Sequence, residues 1–236
     1  MTPKLKDWVA YYDSPHSIYV NELHRDVHYA TIAEEIARCV PSPTAAVLDY
    51  GCGEALHADR IAAAAGRLML ADAAPSVRTR LIERFKKNPK ITVVSAERAA
   101  TMPDRSFDFV VLHSVSQYLS GDEFDRIAAL FRRLLKPNGL LLLGDVVPPG
   151  VPAVSDAAAL LRFARANGFL LAALGGLVRT VFSDYWGLRT RIGLTRYSEA
   201  EMTARLGRLG FTATRAPANI GHISSRMTFL ARPAAG

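Results

Sequence analysis

Cysteine is scarce in this chain. Cys39 and Cys52 are the only two among 236 residues, too few and too far apart for a disulfide framework or a zinc site of the CxxC kind, so a reducing compartment is expected. Long apolar runs are also missing. No stretch approaches the roughly 20 residues that span a bilayer, and the opening MTPKLKDWVAYYDS has no apolar core of the signal-peptide type. Together these predict a cytoplasmic protein. Neither an internal repeat nor a low-complexity linker interrupts the chain. Acidic residues are outnumbered, 22 against 29 Lys plus Arg, for a formal charge of +7. That excess favours encounters with anions but fixes neither fold nor partner, and without a basic-aromatic stripe nucleic acid is not expected.

What is present is apolar sequence in a regular order. Half of the residues are hydrophobic, enough to bury one large core, so a single domain over 1–236 is predicted. After an aromatic-rich lead, HYATIAEEIARCV places Ile32, Ile36 and Val40 near the helical period, and Pro41 and Pro43 stop it. AAVLDY, RLMLAD, ITVVSA, FDFVVLHS and GLLLLGDVV then recur with helical stretches between them. Their near-continuous apolar character is that of parallel strands covered on both faces, which makes the class α/β. Pro75 suits a first helical position, and Ser120 with Glu123 and Ser198 with Glu201 fit the capping box. Lys136-Pro137-Asn138-Gly139 reads as the turn closing the fourth helix. FTATRAPA and RMTFLARP flank NIGHISS, predicting a terminal hairpin of two antiparallel strands.

Residues 148–210 exceed what one crossover needs, and a helical insertion is predicted there. Its GFLLAALGGLV is uncharged but bracketed by Arg162, Arg165 and Arg179. One reading is a pair of amphipathic helices packed on the sheet. The other is a cover over an apolar acceptor, or a surface touching membrane through the 168–191 region. In that case Phe169, Leu170, Leu174, Leu177, Val181 and Phe182 share one apolar face, with Arg179 and Arg189 at its far end.

The stretch VLDYGCGEA leads from a buried strand into a tight glycine turn before a helix. A dinucleotide turn of the GxGxxG kind would want a third glycine, but Gly51 and Gly53 are followed by Leu56. Asp49 would repel a pyrophosphate and favour a ligand carrying positive charge. S-adenosylmethionine has an ammonium and a sulfonium and no phosphate. A second carboxylate, Asp72, stands 21 residues beyond Gly51 at the end of the next strand, the spacing of an acceptor for a ribose diol. The glycines allow backbone amides to approach the cofactor's carboxylate.

In these features the sequence resembles the class I S-adenosylmethionine-dependent methyltransferases, particularly their small-molecule branch. The resemblance covers most of Val47 to Val147: VLDYGCGEA, LMLADAAP, SAERAATMPDRSFDFVVLHSVSQYL and LLKPNGLLLLGDVVPP. It implies a Rossmann-like, seven-stranded sheet of order 3-2-1-4-5-7-6 with strand 7 antiparallel, and S-adenosyl-L-methionine as cofactor. It further implies Asp49, Gly51 and Gly53 around the methionine part, Asp72 with Ala73 at the ribose, Ala96 and Glu97 by the adenine, and His113 on the methionyl side. One departure is Ser95, where the family often has an acid. HSVS after the fourth strand is not the pattern of base-amino methyltransferases. Structural roles stay open for several of these residues: a helix cap for Asp49 or Asp72, a backbone-bonded core position for His113, packing for Cys52.

Methyl transfer from a sulfonium is an in-line displacement that requires alignment and no metal; only a hydroxyl acceptor needs its proton removed. Acceptor groups are expected from loops at the carboxyl ends of the strands: His113, Gln117, Tyr118, Asp145, Asn219 and His222. The 1–44 segment is read as a helical lid that supplies Tyr19, His24 or His28. His222 is the first base candidate and His113 the second. A small-molecule or lipid-like acceptor is expected. A non-catalytic binding protein of the same fold, and a nucleotide-dependent oxidoreductase, remain as alternatives.

Overall fold

The computed structural model describes residues 3–14, 19–181 and 193–234, and in it every predicted strand forms. β1 (Ala46–Tyr50), β2 (Arg67–Asp72), β3 (Ile91–Ser95), β4 (Phe107–His113) and β5 (Leu135–Val146) are parallel. With β6 (Phe211–Arg215) and β7 (Met227–Pro233) they make one sheet of order β3-β2-β1-β4-β5-β7-β6. β7 runs antiparallel to both β5 and β6.

Alternation along the strands divides the core. Leu48, Val110, Leu112, Leu141 and Leu143 face Phe124 and Phe131 of α6 (Gly121–Leu134) and Met202 and Leu206 of α9 (Glu199–Arg208). Val47, Phe109, Val111 and Leu142 face Ile32 and Ile36 of α2 (Glu22–Arg38), Ile61 of α3 (Ala58–Ala64) and Leu81 of α4 (Pro75–Phe85). Each such side chain contributes ~1.5 to 3 kcal/mol by burial, so both faces of the parallel sheet hold their helices firmly. All the parallel strands therefore deliver their carboxyl ends to one edge.

Local signals set most helix limits. Ser120 and Ser198 both form the expected capping boxes with Glu123 and Glu201, and Pro75 opens α4. α2 starts six residues before the predicted helix, because the Asn21 side chain caps it by accepting from the His24 amide at 2.8 Å. Residues 136–139 do not end a helix. They bulge from β5: Phe107 pairs with Leu135 and Phe109 with Leu140, so the loop is absorbed within one strand.

The aromatic lead contains a helix that the period did not reveal, α1 (Pro3–Asp13). Trp8 is fully buried, its ring 4.4 Å from that of Tyr118. Asp13 accepts from the Ser76 amide at 2.7 Å and so holds α1 on the first turn of α4. The insertion forms α7 (Ala153–Ala166) and α8 (Leu170–Val181). Ala164, Phe169 and Ala173 make a small core there, against which Val20 packs. A Cβ on Gly176 would lie 2.3 Å from Val20 Cγ1, so glycine is what allows α8 this close. The single broad apolar face expected here is divided: Phe169 and Ala173 turn inward, while Leu171 is 85% and Leu174 48% exposed. Phe182 and Arg189 lie outside the described residues, as do the side chains of Arg179 and Val181. Among the described residues no helix is long and apolar enough to cross a membrane.

Candidate cofactor and acceptor site

β1 ends in Asp49 and Tyr50, and the chain then turns through Gly51 at φ +75° and Gly53 at φ +56°. The amides of Gly51 and Cys52 both donate to the Ala71 carbonyl, at 2.7 and 3.3 Å, which folds the turn over the end of β2. A side chain at Gly51 would meet Val115 Cγ2 at 2.6 Å. Two residues on from Gly53, Ala55 takes φ +38° with its Cβ in place. Leu56 stands where a GxGxxG turn would have its third glycine, and the left-handed backbone falls one residue earlier, on Ala55.

Asp49 is 7% exposed, and its carboxylate accepts no hydrogen bond from the described residues. Burial, and then the charge of Asp72, push it up to about 7. Such a group is poorly solvated and unpaired, the condition that a cationic ligand relieves. Asp72 is differently held. Its two oxygens accept from the amides of Gly53 at 2.9 Å and Ala74 at 2.8 Å, and burial still raises it above the ordinary carboxylate value. It therefore links the glycine turn to the start of α4, with lone pairs left over for a diol. Arg78 fixes the backbone beside it by donating to the carbonyls of Asp72 and Ala73. Ala96 and Glu97 open α5 (Ala96–Ala100). Ser95, the departure from the family pattern, is that helix's cap and accepts from the Arg98 amide at 3.1 Å.

His113 ends β4. Its Nε2 faces the Ile220 carbonyl at 3.2 Å, which joins β4 to the last hairpin, and its Nδ1 lies 3.1 Å from the hydroxyl of its neighbour Ser114. Ser114 and Asp145, at the ends of β4 and β5, both have φ near +60°: 57° and 61°. Ser114 Oγ donates to Asp145 at 2.8 Å. Buried Arg226 reaches Gln117 at 2.8 Å, Asp145 at 3.4 Å and Asp156 of α7 at 3.1 Å, which ties the insertion to the strand ends. Tyr118 is turned away to Tyr12, hydroxyl to hydroxyl at 2.7 Å. Asn219 accepts from the Asp145 amide at 3.3 Å and from Thr228 at 2.9 Å, shaping the hairpin tip.

That tip meets the N-terminal segment. Glu35 of α2 accepts from the Gly221 amide at 2.6 Å, and His222 Nδ1 lies 3.4 Å from His28 Nδ1. Phe163 of α7 stacks on the His222 ring at 4.4 Å, and Phe169 on His24 at 5.1 Å. Tyr19 packs against His24, His28 and Tyr29, and the Tyr29 hydroxyl accepts from the Glu54 amide at 3.4 Å beside Gly53. An aromatic and imidazole wall thus runs from the glycine turn to the insertion. Its groups are held neutral. Burial lowers His24 to about 4, and His28 and His222 also fall, while it raises Tyr29 to about 12. The sequence placed His222 and the Tyr19, His24, His28 set at the same edge separately; Phe163, which joins them, carried no signal beyond helical apolarity. No group of three or more His, Cys, Asp or Glu able to hold a metal occurs among the described residues.

Residues 48–143 match the family model described as a methyltransferase domain. Comparison with curated proteins gave no match. Among solved structures, the chain is similar to DhpI in complex with SAH, at 16% identity, TM-score 0.63 and 98% coverage of each chain. It is also similar to the magnesium protoporphyrin IX methyltransferase ChlM from Synechocystis with bound SAM, at 14% identity, TM-score 0.62 and 99% of each chain. A third is the N-methyltransferase NodS from Bradyrhizobium japonicum with S-adenosyl-L-homocysteine, at 16% identity, TM-score 0.58, covering 98% of this chain and 97% of that one. Residues 48–143 thus resemble a methyltransferase domain, and the chain as a whole has the seven-stranded fold of these class I methyltransferase structures.

Proposed function

We propose that the chain transfers a methyl group from S-adenosylmethionine to a small apolar or amphipathic acceptor. The observation that carries this is Asp49, a buried carboxylate without a partner among the described residues, at the mouth of a glycine turn. A pyrophosphate there would meet charge of its own sign; an ammonium would restore the solvation that burial removed. Asp49, Gly51 and Gly53 would hold the methionine part, Asp72 the ribose, and Ala96 with Glu97 the adenine. The bound cofactor supplies an electrophilic methyl on sulfonium. The chain's own work is to orient an acceptor against it and exclude water.

The wall of Tyr19, His28, Phe163 and His222 adjoins the turn and supports an acceptor with an apolar body. Related folds belong to a porphyrin methyltransferase, an N-methyltransferase and a carbon methyltransferase, so the nucleophile is decided by site residues rather than by the sheet. His222 is favoured over His113 as a base, since Nε2 of His113 is held by the Ile220 carbonyl. Calorimetry with S-adenosylhomocysteine and with NADH tests the reading. The homocysteine derivative should bind and NADH should not; tighter NADH binding would sink it in favour of an oxidoreductase.

A further inference from the structure

On the candidate acceptor wall His28 and His222 lie within hydrogen-bond range of each other, and the hydrogens of the pair can be counted. Two Nδ1 atoms 3.4 Å apart, at the long end of hydrogen-bond range, share one proton between them. One ring must carry Nδ1–H and leave its Nε2 bare; the other must carry Nε2–H and accept at Nδ1. Which ring does which follows from the surroundings. The groups around His28 are other imidazoles, His222, His113 and His24, and their charge disfavours a proton on it. Burial lowers His222 as well, with Arg226 adding to it, but Asp145 and Asp156 lie within electrostatic reach and favour its charged form, which no group around His28 does. A proton arriving at the pair therefore belongs on His222.

We infer that His28 is a positioning residue: its Nδ1 accepts the Nδ1–H of His222, which leaves Nε2 of His222 free to take a proton from an acceptor hydroxyl. This rests on the methyl-transfer reading and narrows its substrate class to an alcohol or phenol. The step balances. The hydroxyl oxygen bonds to the methyl carbon of the sulfonium donor, whose carbon–sulfur electron pair stays with sulfur, while the O–H proton passes to Nε2 and leaves its electron pair on oxygen. Neutral imidazole becomes imidazolium, and the Nδ1–H bond to His28 strengthens as charge develops. Phe163 holds the ring plane from one face at an interplanar angle of 18°. The logic is that of a base oriented by a third group, with an imidazole where a carboxylate is more usual.

The test reads protons directly. Histidine side chains labelled with nitrogen-15 are observed by NMR in the full chain near neutral pH, with an S-adenosylhomocysteine titration run alongside. His222 should show a protonated Nδ1 and a bare Nε2, with His28 the reverse. His28→Asn, whose carbonyl oxygen can accept the same bond, should keep that tautomer of His222, whereas His28→Phe should convert it to the Nε2–H form. An Nε2–H His222 in the unsubstituted protein overturns the inference even if S-adenosylhomocysteine binds. Failure of S-adenosylhomocysteine to bind overturns the methyl-transfer reading and this inference together. A His222 tautomer unchanged in a folded His28→Phe variant shows that His28 does not set it, and rejects the inference.

Discussion

Replacing Asp49 by Asn removes a charge that the ligand-free fold holds at a cost. Burial, with Asp72 as the second cause, moves the carboxyl from 3.8 to about 7. A rise of roughly 3 units corresponds to ~4 kcal/mol between the two protonation states. The unfolded chain loses this proton near pH 4 and the folded chain near pH 7, so between these values the native state binds the extra proton. Stability should therefore fall as pH rises from about 4 to about 7 and be level above. Asn keeps the shape without the charge. Allowing ~1 to 3 kcal/mol for its own unpartnered amide, Asp49→Asn should be more stable than wild type by ~1 to 3 kcal/mol at about pH 8 and should lack the fall. Urea denaturation of both proteins at about pH 5 and about pH 8 measures it. Binding gives the complementary signal. Near pH 7 about half of Asp49 is protonated, so pairing with an ammonium releases about half a proton, visible when calorimetric heats are compared across buffers. Asp49→Asn should lose both the proton release and most of the affinity for S-adenosylhomocysteine. A variant less stable than wild type at the higher pH, or one that binds undiminished, would refute the reasoning.

Asp72→Asn retains one acceptor oxygen for the glycine turn or α4, so the fold should persist. Its calorimetric affinity for S-adenosylhomocysteine should weaken by ~1 to 3 kcal/mol through loss of charge-assisted bonds to the diol; full affinity would make Asp72 a cap only. At the turn, Ala55→Gly relieves a left-handed alanine that costs ~1 to 2 kcal/mol, against ~0.8 kcal/mol for a buried methyl and ~0.4 to 1 kcal/mol of chain entropy. The terms cancel, and the variant should melt close to wild type, whereas Ala62→Gly inside α3 should lose ~1 kcal/mol or more.

The parts of the fold legible in the sequence were those written locally. Strand runs such as FDFVVLH and the boxes at Ser120 and Ser198 depend on neighbours within a few residues, and they form as expected. α1 depends instead on Trp8 burying against Tyr118 and on Asp13 reaching Ser76, contacts across 110 and 63 residues that leave no period in PKLKDWVAYYD. The KPNG loop was misread for a related reason. Its residues do suit a turn, but pairing of Leu135 with Phe107 ahead of it and Leu140 with Phe109 behind it draws both flanks into β5.

The glycine turn and the two acids at strand ends come together as the sequence implied, because β1 and β2 lie side by side. The contacts of the candidate acceptor wall were not legible, because the wall is assembled from three remote segments. His28 and His222 are 194 residues apart, and Phe163 comes from a third element. What brings them together is polar: Glu35 grips the Gly221 amide, and Arg226 joins Asp145 to Asp156. A buried cation between two carboxylates is weak support for stability in general, since desolvation offsets much of the attraction. Here it also fixes α7, and so the Phe163 face, relative to the ends of β4 and β5. Ser114 and Asp145 keep left-handed backbones at those ends, a strain of ~1 to 3 kcal/mol each. Packing alone would not select such conformations. The hydrogen bond between the two side chains and the Asn219 bond to the Asp145 amide hold them, so the strand ends are shaped for the hairpin that carries His222.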